Sequence, residues 1–252
     1  MSEIEKFFLQ SNTVNTISKK DISQINNYLE LAEAFSRITY KSIYIIDYQT
    51  KKFEFVSDNP LFLCGLSSQE VKELGYGFYF RVVKKSDLKL LLKINELGFN
   101  FYENLPIEDR KYYNISYDFH IVNEKNHSIL ISHQLTPVFL TEEGKIWKAV
   151  CVVALSANQS SGNVKITKHG SLSMWHLDLK NEKWVEDEKV KLSERELEIL
   201  RLYARGFTIN EIAEKIFVSI DTVKFHRRKL FQKIGVQSIT EALSYTINNK
   251  LI

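Results

Sequence analysis

Between Ser219 and Gly235 the chain carries Lys224, Phe225, Arg228, Lys229 and Lys233 on a segment whose apolar residues Val223, Leu230 and Ile234 recur at helical spacing. Those three share one face, so Lys224, Phe225 and Arg228 share the opposite face of the N-terminal half. The chemistry open to such a face is recognition, not bond-making. Lys and Arg donate to guanine O6 and N7, and an apolar ring touches a thymine methyl. Lys229 and Lys233, further along, suit phosphates, as do Ser219, Thr222 and the N–H groups at the helix start. An exposed aromatic among cations is costly unless something covers it.

The elements that must position this face are punctuated clearly. Ser193-Glu194-Arg195-Glu196, Thr208-Ile209-Asn210-Glu211 and Ser238-Ile239-Thr240-Glu241 are three Ser/Thr-x-x-Glu capping boxes. In each, the hydroxyl accepts from the third helical N–H and the Glu reaches back to the cap. The pattern predicts a first helix over Glu194–Arg205 with Leu197, Leu200 and Ala204 inward and Gly206 closing it. A second runs over Ile209–Ile216, with small Ala213 letting a neighbour approach. Phe217-Val218 turns the chain, and Ser219 caps a third helix ending at Ile234. This is a helix-turn-helix pattern, whose second helix lies in the major groove.

A chain of 252 residues, 44% hydrophobic and 26% charged, reads as a soluble globular protein of one large or two ordinary domains. Its longest purely apolar run, Ala149 to Leu155, is far too short for a membrane span. The acidic start lacks a signal-peptide core, and Cys64 and Cys151 fit no zinc spacing, so a reduced, cytoplasmic protein is expected. Residues 191–252 hold 11 Lys/Arg against 7 Asp/Glu, the remainder 23 against 24. Positive charge gathered at one end suits a nucleic-acid partner.

Before that end the period changes. Residues 21–38 read as a helix capped by Asp21, with Ile22, Ile25, Leu29, Ala32 and Phe35 on one side; it either seals a sheet edge or pairs with a second copy. Ile43–Ile46 and Phe53–Val56 flank a polar turn at Gln49-Thr50 and read as a hairpin, broken by Asn59-Pro60. A mixed, helical stretch follows from Leu61 to about Asn100. Three strands come next, around Ile115–Ile121, Ile129–Leu135 and Trp147–Leu155. The sum is an α+β domain with a five-stranded antiparallel sheet. Ser156–Asn163 is a loop by composition, and a further hairpin is expected from Ser171–Leu179 and Lys183–Val185.

The C-terminal segment resembles the LuxR/GerE-type helix-turn-helix of bacterial transcription regulators. The residues that carry the likeness include Leu192-Ser193, Arg195-Glu196, Glu198-Ile199-Leu200, Ala204, Gly206, Asn210–Ala213, Ser219, Thr222-Val223-Lys224, His226, Lys233-Ile234, Val236 and Glu241-Ala242. The resemblance implies an all-α domain of four helices that binds double-stranded DNA as a homodimer, often through its last helix, here about Ile239–Asn249. It implies base-facing roles for Lys224, Phe225 and Arg228. It makes His226 half-buried, a packing residue or a phosphate contact. Ile239 stands where the family usually has Arg.

Residues 40–156 resemble a PAS domain. Tyr44-Ile45-Ile46-Asp47, Phe55–Asn59, Cys64–Val71 and Ser86-Asp87-Leu88 fall in the order that such a domain shows. The likeness implies a ligand-binding or dimerising module. A phosphoacceptor receiver is excluded, since Asp47 alone sits at a strand end. A phosphate-binding loop is excluded, since Gly144-Lys145 lacks its flanking residues. Cys64 lacks the flavin-photosensor context, and His120, His127 and His133 read as surface or strand-edge histidines, so no cofactor and no metal are expected. Tyr117, Phe119 and Trp147 read as core, at positions a PAS pocket would also use. The cysteines read as small buried apolar residues.

The expected layout is therefore an N-terminal helical segment (1–39), a PAS-like domain (40–156), a loop, hairpin and linker (157–188), and the helix-turn-helix domain (189–252). The expected function is a non-enzymatic DNA-binding regulator with a sensing or dimerising front domain. Its expected partners are DNA, a second copy, RNA polymerase and an unidentified small molecule. The alternative is an adaptor whose C-terminal helices bind another regulator or polymerase.

Overall fold

The computed structural model describes residues 3–22, 27–171, 173–188, 190–248 and 251. The chain divides into two compact units, residues 1–187 and 188–252.

The first unit is built on β1 (Ser42–Asp47), β2 (Lys52–Val56), β3 (Tyr113–Val122), β4 (Ser128–Leu140), β5 (Ile146–Leu155), β6 (Gly162–Lys168), β7 (Ser173–Asp178) and β8 (Lys183–Glu188). They form one sheet in the order β2-β1-β5-β4-β3-β6-β7-β8. The five expected strands are its first five members. The sheet is larger than expected because β6, β7 and β8 extend it past β3, with β6 antiparallel to both β3 and β7. Pro137 lies in the interior strand β4, beside a register shift between Pro137 and Phe139. A bulge is where a strand tolerates a residue that cannot donate to the ladder.

Helices follow β2: α3 (Pro60–Leu63), α4 (Ser68–Leu74), α5 (Gly77–Val82) and α6 (Lys85–Glu103). The Asn59-Pro60 break is itself a cap, with Asn59 Oδ1 accepting from the Leu61 N–H at 3.1 Å. Ser67 and Glu70 form a complete capping box on α4. Tyr44, Phe62, Phe78, Phe119, Ile121 and Ile131 meet in the main core. On α6, Leu90, Ile94 and Leu97 form a helical stripe that packs with Val164 of β6, Leu177 of β7 and Trp184 of β8. That apolar stripe is why the sheet continues beyond β3.

The N-terminal segment differs from the single helix expected over 21–38. A short α1 (Lys19–Ile22) is followed, after the undescribed residues that include Ile25, by α2 (Tyr28–Ile38). Asp21 is not the cap. It sits in the first turn, buried, and its carboxylate accepts from the Ser18 N–H while Ser18 Oγ accepts from the Asp21 N–H. Asn27, in the left-handed region, precedes α2.

Strand alternation puts Tyr44 and Ile46 toward the main core and Asp47 on the other face. There Lys148, directly opposite in register, donates to Asp47 at 2.7 Å and to Glu54 of β2 at 2.8 Å. Tyr28 of α2 donates to the same Glu54 carboxylate, which ties the helix to the sheet. Lys148 is only 3% exposed.

The second unit contains α7 (Glu194–Ala204), α8 (Ile209–Lys215), α9 (Ile220–Ile234) and α10 (Ile239–Asn248). Asn249, expected as the end of the last helix, lies outside the described residues. Leu200 is buried and Leu197 half-buried, as expected, but Ala204 is exposed. The inward face of α7 runs instead through Glu196, Ile199, Leu200 and Leu202.

Replacing Lys148 by Ala strands the buried Asp47 carboxylate and leaves half-buried Glu54 with Tyr28 alone. The expected cost is ~3–5 kcal/mol, read as a lowered urea midpoint of the first unit by tryptophan fluorescence. A change within ±0.5 kcal/mol would contradict the role given to this cluster.

Candidate nucleic-acid interface

Each of the three predicted boxes holds its helix start. Ser193 and Thr208 cap α7 and α8 with both reciprocal bonds formed. At Ser238 the hydroxyl accepts from Glu241 N–H at 3.2 Å, but the Glu241 carboxylate reaches one residue further back, to the Gln237 N–H at 2.9 Å. Ser219 caps α9 by accepting from the Thr222 N–H at 3.1 Å, and the two hydroxyls lie 2.9 Å apart. The turn before it is closed by Val218 N–H donating to the Ala213 carbonyl at 3.0 Å. Phe217 makes that turn with φ of 54° and is 93% exposed.

Two apolar clusters hold α9 from behind. Ile199, Leu202, Ile212, Ala213, Ile216 and Val223 bind its start to α7 and α8. Leu200, Leu230, Ile234 and Ala242 bind its end to α7 and α10. Val223, Leu230 and Ile234 are buried as expected, so the opposite face is fixed in direction. On it Lys224, Phe225, Arg228 and Lys229 are exposed. Phe225 is 55% exposed, with its ring edge-to-face against half-buried His226 at 5.5 Å. Thr222 is half-buried beside the cap.

Lys233, also exposed, differs from them in having a partner on α7. Its ammonium donates to the Glu196 carboxylate at 2.7 Å, and Glu196 is 1% exposed. Lys233 thereby ties the last turn of α9 to the start of α7. Burial alone would raise the Glu196 carboxyl, but the bonds from Lys233 and Ser193 outweigh it and hold it below the usual range. Two neighbours escaped the sequence reading. Asp221 lies on the exposed face one turn before Lys224 and Phe225, a position that helical spacing alone would have shown. Arg227, half-buried, lies over the Phe231 ring at 5.9 Å.

The first unit holds a cavity of about 80 Å³ between α6 and the sheet. Among the described residues no charged side chain lines it; seven phenol and imidazole side chains, Tyr102, Tyr113 and His133 among them, supply its polar atoms, with Asn95 and Asn114. His133 is not the surface histidine expected. It is buried, and Tyr44 bridges its Nε2 and the Tyr79 hydroxyl at 2.5 Å each. Among the described residues, His133 Nδ1 and the Tyr102 hydroxyl find no partner. Burial pushes the His133 imidazole down to about 3 and the Tyr44, Tyr79 and Tyr117 phenols well up, so the lining stays neutral. The period-2 pattern placed His133 on a strand, but not which face of that strand was covered. His120 is half-buried and paired with Asp87 at 2.8 Å, and His127 is exposed. Cys64 and Cys151 are buried, as expected.

Residues 190–246 match the family described as bacterial regulatory proteins, luxR family. The C-terminal unit is a LuxR-family helix-turn-helix domain. This LuxR-type segment is 48% identical over 61 residues to the oxygen regulatory protein NreC of Staphylococcus aureus, covering 24% of this chain and 28% of that protein. The chain thus spans under a third of the length of that relative. Among solved structures it is similar to the response regulator ChrA of a heme-sensing two-component system, at 35% identity, over 26% of this chain and 33% of that one, with a TM-score of 0.25. Vibrio cholerae VqmA, a LuxR-type receptor, matches over 88% of this chain and 87% of its own at 17% identity and a TM-score of 0.34. A PAS domain from Colwellia psychrerythraea matches over 52% and 98% at 13% identity and a TM-score of 0.38. No helix among the described residues is long and apolar enough to cross a membrane.

Two outcomes follow from these sites. Lys233→Ala strips a bond from a buried carboxylate and is expected to cost roughly 1–3 kcal/mol in the LuxR-type domain, read by helix signal against urea. A stability unchanged from wild type would free Lys233 for another role. For His133, the folded value lies below the unfolded one of about 6.5, so protons bind the unfolded chain first. Its stabilising share is complete above that pH and drains as the pH falls toward 3, by up to ~1.4 kcal/mol per unit. Urea midpoints at pH 7, 6 and 5 should therefore fall more steeply for wild type than for His133→Gln; parallel curves would show that the imidazole is not held neutral.

Proposed function

We propose that the protein is a DNA-binding transcriptional regulator that reads a two-fold site as a dimer, with α9 in the major groove. The observation that carries this is the outward face of α9. Lys224, Phe225 and Arg228 are exposed side by side on a helix whose other face is fully committed to packing. In this reading Lys224 and Arg228 donate to guanine edges, and Phe225 covers a thymine methyl. Ser219, Thr222, the α9 N-terminus and Lys229 meet phosphates, which set the register without reading sequence. Two half-sites one helical turn apart, about 34 Å, require two such helices, hence the dimer. RNA polymerase is a further partner consistent with the family. Because catalysis plays no part in this reading, the expected output is occupancy of DNA.

The front unit, in the same reading, is a PAS-like sensor whose cavity admits a small uncharged molecule. A charged ligand would lose its hydration and meet no counter-charge among the lining side chains. His133 Nδ1 and the Tyr102 hydroxyl are the polar atoms left to receive it.

Selection of bound sequences from a random DNA pool by the full-length protein tests the DNA reading. A two-fold motif is expected. Lys224→Ala and Arg228→Ala should each relax preference at their own positions by about 5- to 150-fold, whereas Lys229→Ala should weaken binding to all sequences alike and flatten the salt dependence by about one unit of slope. Identical sequence profiles for the three variants would overturn the assignment of roles. Absence of enrichment together with salt-insensitive association would favour a protein-binding adaptor.

A further inference from the structure

Asp221 stands where a DNA-reading face should not tolerate it. It is the sole acid between Ser219 and Gly235, 90% exposed on its side chain, in the first turn of α9. Helical spacing of three, four and seven residues aligns it with Lys224, Phe225 and Arg228. Phosphates repel a carboxylate, and the helix N-terminus that would attract a phosphate is next to it. The Lys224 ammonium lies 3.3 Å from the Asp221 carboxylate.

We propose that Asp221 and Lys224 act together as the reader of one C·G pair in each half-site. The inference rests on α9 entering the major groove. There cytosine presents the N4 amino donor and guanine the O6 and N7 acceptors. The N4 and O6 atoms of one pair are themselves joined by an ordinary N–H···O bond of about 2.9 Å, close to the spacing of the Asp221 and Lys224 charged groups. The carboxylate accepts the second N4 hydrogen, and the ammonium donates to O6. A T·A or G·C pair offers the opposite order of donor and acceptor and satisfies neither; an A·T pair keeps the order, N6 donor beside O4 acceptor, but sets the adenine N7 acceptor against the carboxylate and a methyl where guanine has N7. Asp221 also favours the helix dipole, a role any first-turn acid fills, but that role carries no sequence preference.

The test is the same selection from a random pool, with full-length wild type, Asp221→Ala and Asp221→Asn, each first shown to keep the wild-type helix content. In the wild type, one position per half-site should be C·G with about 5- to 150-fold discrimination. Asp221→Ala should lose preference there while the other positions stay. Asp221→Asn should move that position toward adenine, which an amide reads. A wild-type motif unchanged in Asp221→Ala would overturn the proposal and leave Asp221 a helix-terminal charge. A wild type that enriches no sequence would remove the DNA reading beneath it, a result distinct from an unchanged motif.

Discussion

One buried carboxylate organises the second unit. Glu196 closes the capping box at the start of α7 and receives the ammonium of Lys233 from the last turn of α9. A carboxylate with 1% exposure must be fully bonded or it unfolds its surroundings. Satisfying it fixes where α7 begins and how far α9 runs past it. The direction of the α9 outer face follows from that pair and from the two apolar clusters behind it. Arg195 adds a second link, donating to the Ile216 carbonyl at 3.3 Å just before the turn that aims α9.

The first unit separates its charges from its cavity by strand alternation. On one parity of β1 and β5 lie Tyr44, Ile46 and Cys151, facing a lining without charge. On the other lie Asp47 and Lys148, with Glu54 and Tyr28 completing a cluster that takes in α2. The two sets share backbones yet never meet. A sheet can thus hold a neutral pocket and a buried ionic network at once, because a period of two sends neighbours to opposite faces.

What the sequence showed depended on range. The capping boxes at Ser193 and Thr208, the inward stripe of α9 and the hairpin of β1 and β2 are local, and they were legible as written. Ala204 was misplaced because the face of α7 is set by the buried Glu196, whose partner is 37 residues away. Asp21 read as a cap because a first-turn acid and a capping acid look alike without coordinates. Gly162–Lys168 has weak alternation, and it became a strand because β3 offers it an edge while the apolar stripe of α6 covers it. His133 appeared as one histidine among three; only the closing of helices over that face distinguishes it. The outward direction of the α9 face was legible from the apolar stripe behind it, whereas the Lys233–Glu196 pair was not, because its partner is again distant in sequence.

All three tryptophans, Trp147, Trp175 and Trp184, belong to the first unit, two of them on the added strands β7 and β8. Indole emission is therefore blind to the helix-turn-helix. Trp175 and Trp184 each lie against Phe101 of α6, at 5.4 and 5.2 Å, so their emission follows the sheet extension and α6 together. The second unit holds Tyr203 and Tyr245 but no tryptophan, so tryptophan emission is an optical label of the first unit alone, without any added dye.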